Sequence, residues 1–133
     1  MESQIKEICK KRTSKLTAKM KPEIKEKWIK ALRSKTYKQG RNCLRNCTNE
    51  YCCLGVLCDI AVQNGVIPPP ILSLSTKFQY DGETTHYLPI RVQQWASFSE
   101  SDPYSFSLGG KLSASNDKGV TFDTIANAIE MDF

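Results

Sequence analysis

The sequence predicts an α+β fold, mostly helical, in one globular domain. It is built around a buried central helix over about residues 50–64 and carries a small antiparallel hairpin over about residues 72–87. Three observations lead there. Tyr51 to Gly65 is an almost unbroken run of apolar and small residues in a chain that is 25% charged, and a helix apolar on every side is a buried one. Three further stretches of the domain place apolar residues at helical spacing. Finally, Leu72, Leu74, Thr76, Phe78 and Tyr80 alternate with polar residues ahead of Asp81-Gly82, which is a hairpin signature. A length of 133 residues fits one domain with a real core.

Taken in order, residues 1–20 read as a basic helical extension, with Ile5, Ile8, Cys9, Leu16 and Met20 as a thin apolar stripe. The globular domain then covers 21–133. Its first helix starts at Pro22, a residue suited to a first helical turn. Glu23 and Glu26 lie near the positive end of the dipole, and Ile24, Trp28, Ala31 and Leu32 form the inner face; the helix ends near Ser34. Residues 36–46 read as a loop or short strand. For the central helix, Thr48 or Asn49 is the expected cap and Gly65 the left-handed stop. Gly55 inside that helix implies close approach of a neighbour, with the Trp28 helix as the expected one, because glycine there costs about 1 kcal/mol against alanine. Pro68-Pro69-Pro70 gives a stiff extended link. Leu88-Pro89 opens another helix, with Val92, Trp95 and Ala96 inward. Residues 99–107 form a Ser-rich loop, and Asn116-Asp117-Lys118-Gly119 a tight turn. Thr121 caps a last helix whose inner face is Phe122, Ile125, Ala126 and Ile129.

Charge is divided along the chain. Met1–Arg45 holds 15 Lys/Arg against 4 Asp/Glu, a net of +11, while the remainder nets −6. The front third should attract anions. No apolar run approaches the ~20 residues that span a bilayer, and no signal-peptide core is present. The reading is a cytoplasmic protein without a membrane partner.

Several residues could carry chemistry. Tyr37, Gln39, Arg41 and Arg45 precede the amino end of the central helix, where free N–H groups and guanidinium forks suit a phosphate. They are read as a pocket for an anionic, nucleotide-like ligand, weighed against a loop in which Tyr37 and Gln39 only satisfy backbone groups. Asn116 and Asp117 join this candidate ligand set, with turn and cap chemistry as the competing reading. No catalytic residue is assigned; His86, the single histidine, stands beside a strand. Cys43, Cys47, Cys52, Cys53 and Cys58 read first as free, mostly buried thiols. Zinc binding and a redox thiol remain as alternatives, although the spacings depart from paired zinc knuckles. No metal and no cofactor is assigned.

The chain also resembles a family of small proteins encoded by tailed bacteriophages. The matching residues are Trp28-Ile29-Lys30-Ala31-Leu32-Arg33-Ser34, Tyr37-Lys38-Gln39-Gly40, Leu44-Arg45, and Tyr51-Cys52-Cys53-Leu54-Gly55-Val56-Leu57-Cys58-Asp59. Leu88-Pro89, Trp95-Ala96, Asn116-Asp117-Lys118-Gly119 and Phe122, Ile125 and Ala126 complete the set, so the resemblance spans about 25–130. Departures are the extension at 1–20, a long hairpin region, and Ser34-Lys35 where such proteins often carry Ser-Gly. The resemblance implies a phage origin and the host cytoplasm, and it supplies no mechanism.

The expected function is therefore that of a phage accessory protein, counter-defence in role. It would act by binding an anionic nucleotide-like ligand or a host defence protein. Two alternatives stand beside this: a nucleic-acid-binding accessory protein, and a small phosphoester hydrolase. A homo-oligomer is left open as a further partner.

Overall fold

The protein is described by a computed structural model covering residues 20–133 except Leu74. The expected basic helix at 2–20 lies outside the described residues apart from Met20, which is buried. The fold is α+β. Among the described residues the helices are α1 (Pro22–Arg33), α2 (Cys53–Gln63), α3 (Ile90–Ala96), α4 (Leu112–Asp117) and α5 (Phe122–Asp132). The strands are β1 (Lys38–Gln39), β2 (Glu50–Tyr51), β3 (Ile71–Ser73), β4 (Lys77–Gln79), β5 (Tyr104–Ser105) and β6 (Gly110–Lys111). None of these helices is long and apolar enough to cross a membrane.

α2 is the expected central helix, and Cys53 to Cys58, Ile60 and Ala61 are all buried. It starts at Cys53, later than either expected cap allows, because Glu50–Tyr51 is drawn into parallel pairing with Lys38–Gln39. The cap is Cys52, whose Sγ accepts from Gly55 N at 3.4 Å. The helix stops as expected, with Gly65 in the left-handed region at φ 72°.

Gly55 is needed for a different neighbour than the Trp28 helix. A Cβ there would stand 1.8 Å from the main-chain oxygen of Leu44. That oxygen also accepts from Cys52 N at 3.1 Å, so the segment before β2 is laid directly on the first turn of α2. α1 reaches α2 from another side, where the Trp28 indole donates to Cys53 O at 2.9 Å. Trp28 is fully buried with Ile24 and Leu32, while Ala31 is half-buried. Just after α1, Lys35 sits at φ 62°, a left-handed conformation natural to glycine.

The strands form three pairs, of which β1–β2 and β3–β4 are linked by isolated bridges into one irregular row. β1 pairs with β2, Tyr51 bridges Arg45, Asn46 bridges Lys77 of β4, and β4 pairs with β3. The hairpin differs from expectation in its turn. The paired strands are Ile71–Ser73 and Lys77–Gln79, so the chain reverses around Ser75-Thr76. Asp81-Gly82 makes its own turn, both residues at positive φ, closed by Glu83 N donating to Tyr80 O at 3.0 Å and by the Tyr80–Thr84 bridge.

The Ser-rich stretch is more ordered than a loop. β5 and β6 pair across Phe106–Gly109, and Asp132 holds them by accepting from Ser105 Oγ at 2.5 Å and from Ser107 N at 3.0 Å. Asn116 and Asp117 are not in a turn but end α4. Buried Asp102 anchors that helix by accepting from Ser113 N at 3.1 Å and from the Ser113 hydroxyl. α5 begins at the expected cap, Thr121, and buries Phe122, Ile125, Ala126 and Ile129.

Candidate functional site

The structure divides the six candidate residues into three places. Gln39 and Asn116 meet in the interior. Asn116 is fully buried. Its Oδ1 accepts from Gln39 Nε2 at 2.9 Å and from Cys53 N at 3.2 Å, and its Nδ2 donates to Gly40 O at 2.8 Å. Gln39 also donates to Val120 O and accepts from Phe122 N. One amide pair thus joins β1 to the first turns of α2 and α5 and to the end of α4. Apart from the bond between the two amides, these contacts go to main chain, which for Gln39 is the competing reading weighed from the sequence. The first N–H of α2 is occupied by Asn116, and Cys52 and Cys53 are buried. The amino end of the central helix is therefore closed to an outside anion.

Asp117 and Arg41 lie beside this tie. Asp117 Oδ1 accepts from Asn42 N at 2.9 Å, and the Arg41 guanidinium lies against Gly119. Arg45 turns elsewhere. It donates to Asn49 Oδ1 at 2.7 Å, and its guanidinium carbon sits 4.2 Å from the Phe78 ring centre and 5.2 Å from that of Tyr51. These are cation–π distances.

Tyr37 occupies the third place, a surface cleft of about 410 Å³ between α1 and the carboxyl end of α2. Lys27 and Lys30 line one wall, Tyr37, Ile60 and Gln63 the other, with Ala31 at the base. Spacing explains the first wall: Lys27 and Lys30 are three apart on a helix and share a side, flanking the buried Trp28. Lys27 is steered by Asn64 Oδ1 at 3.1 Å. The other wall is built by Asp59, which stands behind the lining. It accepts from the Tyr37 hydroxyl and from Gln63 Nε2 at 2.9 Å, while the Tyr37 ring rests edge-on against Tyr51 with centres 4.9 Å apart.

Lys27 and Lys30 are the charged residues among the cleft's lining, and the Asp59 carboxylate stands behind Tyr37 and Gln63. Burial, then the Asp59 hydrogen bond, raise the Tyr37 hydroxyl well above its ordinary pKa, so it stays a protonated donor at neutral pH. The cleft can hold an anionic group by its lysines and a flat apolar group against Ala31, Ile60 and Tyr37. Of the residues selected from the sequence, Tyr37 lines this cleft; Lys27, Lys30, Gln63 and Asn64, which also line it, were not in that set. The signal available was the lysine pair flanking an inward tryptophan.

The three thiols of the central helix and its cap, Cys52, Cys53 and Cys58, are buried away from solvent. Burial pushes Cys52 up to about 12 and Cys53 and Cys58 well above their ordinary value, which leaves them as neutral thiols. Cys43 is buried and raised for the same reason, whereas Cys47 is exposed. Among the described residues no cluster of three or more His, Cys, Asp or Glu is placed to hold a metal ion. His86 is held between the Thr85 hydroxyl at 2.7 Å and the Lys77 ammonium at 3.3 Å.

No curated protein and no solved structure matches this chain. A family model described as a domain of unknown function, DUF8296, matches residues 20–133, and the chain belongs to that family.

Proposed function

We propose that this protein works by binding, and that its ligand is an anionic, nucleotide-sized molecule seated in the cleft between α1 and α2. One observation carries the reading: a cleft of about 410 Å³ with Lys27 and Lys30 on one wall, an apolar and amide surface opposite, and no acidic lining. Phosphate would sit at the lysines. A ring would lie against Ala31, Ile60 and the Tyr37 ring. The resemblance to small tailed-phage proteins supports a phage accessory role in the host cytoplasm. Capture of a host nucleotide-like ligand, or occupation of a host defence protein, would then be the counter-defence act.

Calorimetric titration with a panel of nucleoside mono-, di- and triphosphates tests this. Binding should have a stoichiometry of one per chain. Lys30→Ala should weaken it by about 1–3 kcal/mol, the scale of one charge-assisted hydrogen bond. Arg41→Ala and Arg45→Ala should leave affinity within a factor of two or so, since neither residue lines the cleft. Absence of binding across the panel, or control by the two arginines, would sink the reading.

The net charge of +11 over Met1–Arg45 favours a second reading, attachment to nucleic acid. Affinity would then fall linearly in log–log terms with added salt and ignore the nucleotide panel.

A further inference from the structure

The row of short strands ends at β3, and we infer that this outer edge is a homodimerisation edge, on which a second copy of the chain docks by antiparallel pairing centred on Leu72. The hydrogen bonds fix which groups face outward. Phe78 N donates to Arg45 O at 2.9 Å and Cys47 N to Thr76 O at 3.0 Å, so Phe78 turns its main-chain groups away from β3. Paired and unpaired residues alternate along an antiparallel ladder. The bonds between β3 and β4 therefore fall to Ile71 with Gln79 and to Ser73 with Lys77. Leu72, opposite Phe78, carries its N–H and C=O on the outer side, where no described residue takes them.

The edge is limited in length but not in polarity. Exposed edges are commonly guarded by short strands, proline, charged side chains or bulges, and of these β3 has the first two, with three residues behind three prolines. Here no charged residue occurs from Gln63 to Thr76. Ile71 is 72% exposed and Leu72 46% exposed. Pro68-Pro69-Pro70 prevents a longer strand from growing in front of Ile71, because proline offers no N–H to a ladder. The pairing is thereby held to a short register.

A second copy is the occupant that this edge fits. A two-fold axis beside Leu72 matches the outward N–H of each chain with the outward C=O of the other. An uncharged strand meets its own counterpart without like-charge repulsion. The opposite end of the row does not share this property: β1 would set exposed Lys38 against itself.

Sedimentation equilibrium of the full chain over a wide concentration range reads the association directly. The expected weight-average mass rises from that of one chain to twice that value. Leu72→Pro deletes the outward N–H and none of the β3–β4 bonds, so it should hold the mass at one chain. Leu72→Glu should do the same by placing a charge against its own copy, and it decides the matter alone if the proline variant does not fold. Phe106→Ser, at another exposed apolar position, should leave the association unchanged. A single-chain mass for the wild type throughout overturns the inference. So does a doubled mass that survives in a folded Leu72 variant, or one abolished by Phe106→Ser.

Discussion

Replacing Gly55 by alanine adds one methyl group, and its consequence can be worked out from the surroundings. In an open helix the change would stabilise by about 0.5–1 kcal/mol, because alanine loses less backbone freedom. Here the new Cβ would stand 1.8 Å from Leu44 O, 2.6 Å from its carbonyl carbon and 3.1 Å from its Cα. Those atoms are main chain and cannot rotate away. Leu44 is moreover fixed on both sides: its N–H donates to Thr85 O at 2.8 Å and its oxygen accepts from Cys52 N at 3.1 Å. Moving it strains the bond that enters the first turn of α2. Overpacking costs about 1–3 kcal/mol, occasionally more, and an immobile neighbour puts this site at the upper end. Subtracting the helix gain leaves a net loss of about 1.5–2.5 kcal/mol, or a fall in Tm of roughly 5–12 °C for a domain of this size. Thermal unfolding followed by far-ultraviolet circular dichroism measures it. A Tm equal to or above that of the wild type would refute the reasoning, since it would mean that Leu44 is not pressed on the helix.

Asn116→Leu should cost about 2–4 kcal/mol, because it strands the Gln39 amide and Cys53 N in the interior; denaturant midpoints would show it, and a neutral outcome would mean the tie is not closed. Thiol labelling of the native protein should modify Cys47 quickly and Cys52, Cys53 and Cys58 only on unfolding, given their burial; rapid reaction of all would contradict the buried thiols. Lys35→Gly should stabilise by up to about 1 kcal/mol by relieving a left-handed lysine, and a lowered Tm would count against that strain. Burial acts to raise the Asp132 carboxyl, but the Ser105 and Ser107 hydrogen bonds outweigh it and hold it below its ordinary value. The sign follows: a depressed folded pKa contributes stability above the unfolded pKa and loses it as pH falls through the folded one. Acid should therefore loosen the β5–β6 hairpin, and Asp132→Asn should flatten the acid limb of its amide-exchange profile; an unchanged limb would remove Asp132 as the cause.

What the sequence made legible were features set by local chemistry. Helix periodicity located Ile24, Trp28 and Leu32 on one face, Thr121 as a cap, and Gly65 as a stop. What it hid was decided by distant partners. Thr48 and Asn49 are better caps by type than Cys52, yet pairing of Glu50–Tyr51 with Lys38–Gln39 carries the chain past them. Asp81-Gly82 is the better turn dipeptide, yet Asn46 and Lys77 bridge and fix β4 earlier. Two-residue strands such as β5 and β6 leave too few positions for an alternation to register. At the candidate site, residue type picked Tyr37 but could not separate it from Gln39, because only the fold turns one side chain to a cleft and the other to Asn116.

The Asn116 amide has a consequence for how the chain is made. The group that occupies the first N–H of α2 lies 63 residues downstream of Cys53. During synthesis, the apolar segment of the central helix leaves the ribosome long before that group exists. At elongation rates of about 5–20 residues per second, the delay is some seconds. Through that interval the most apolar stretch of the protein has no finished start, and α5, which packs against α1, is also still unmade. Folding of this chain is thus weighted toward its last residues, and a chain released before Asn116 would present its apolar helix to chaperones and proteases.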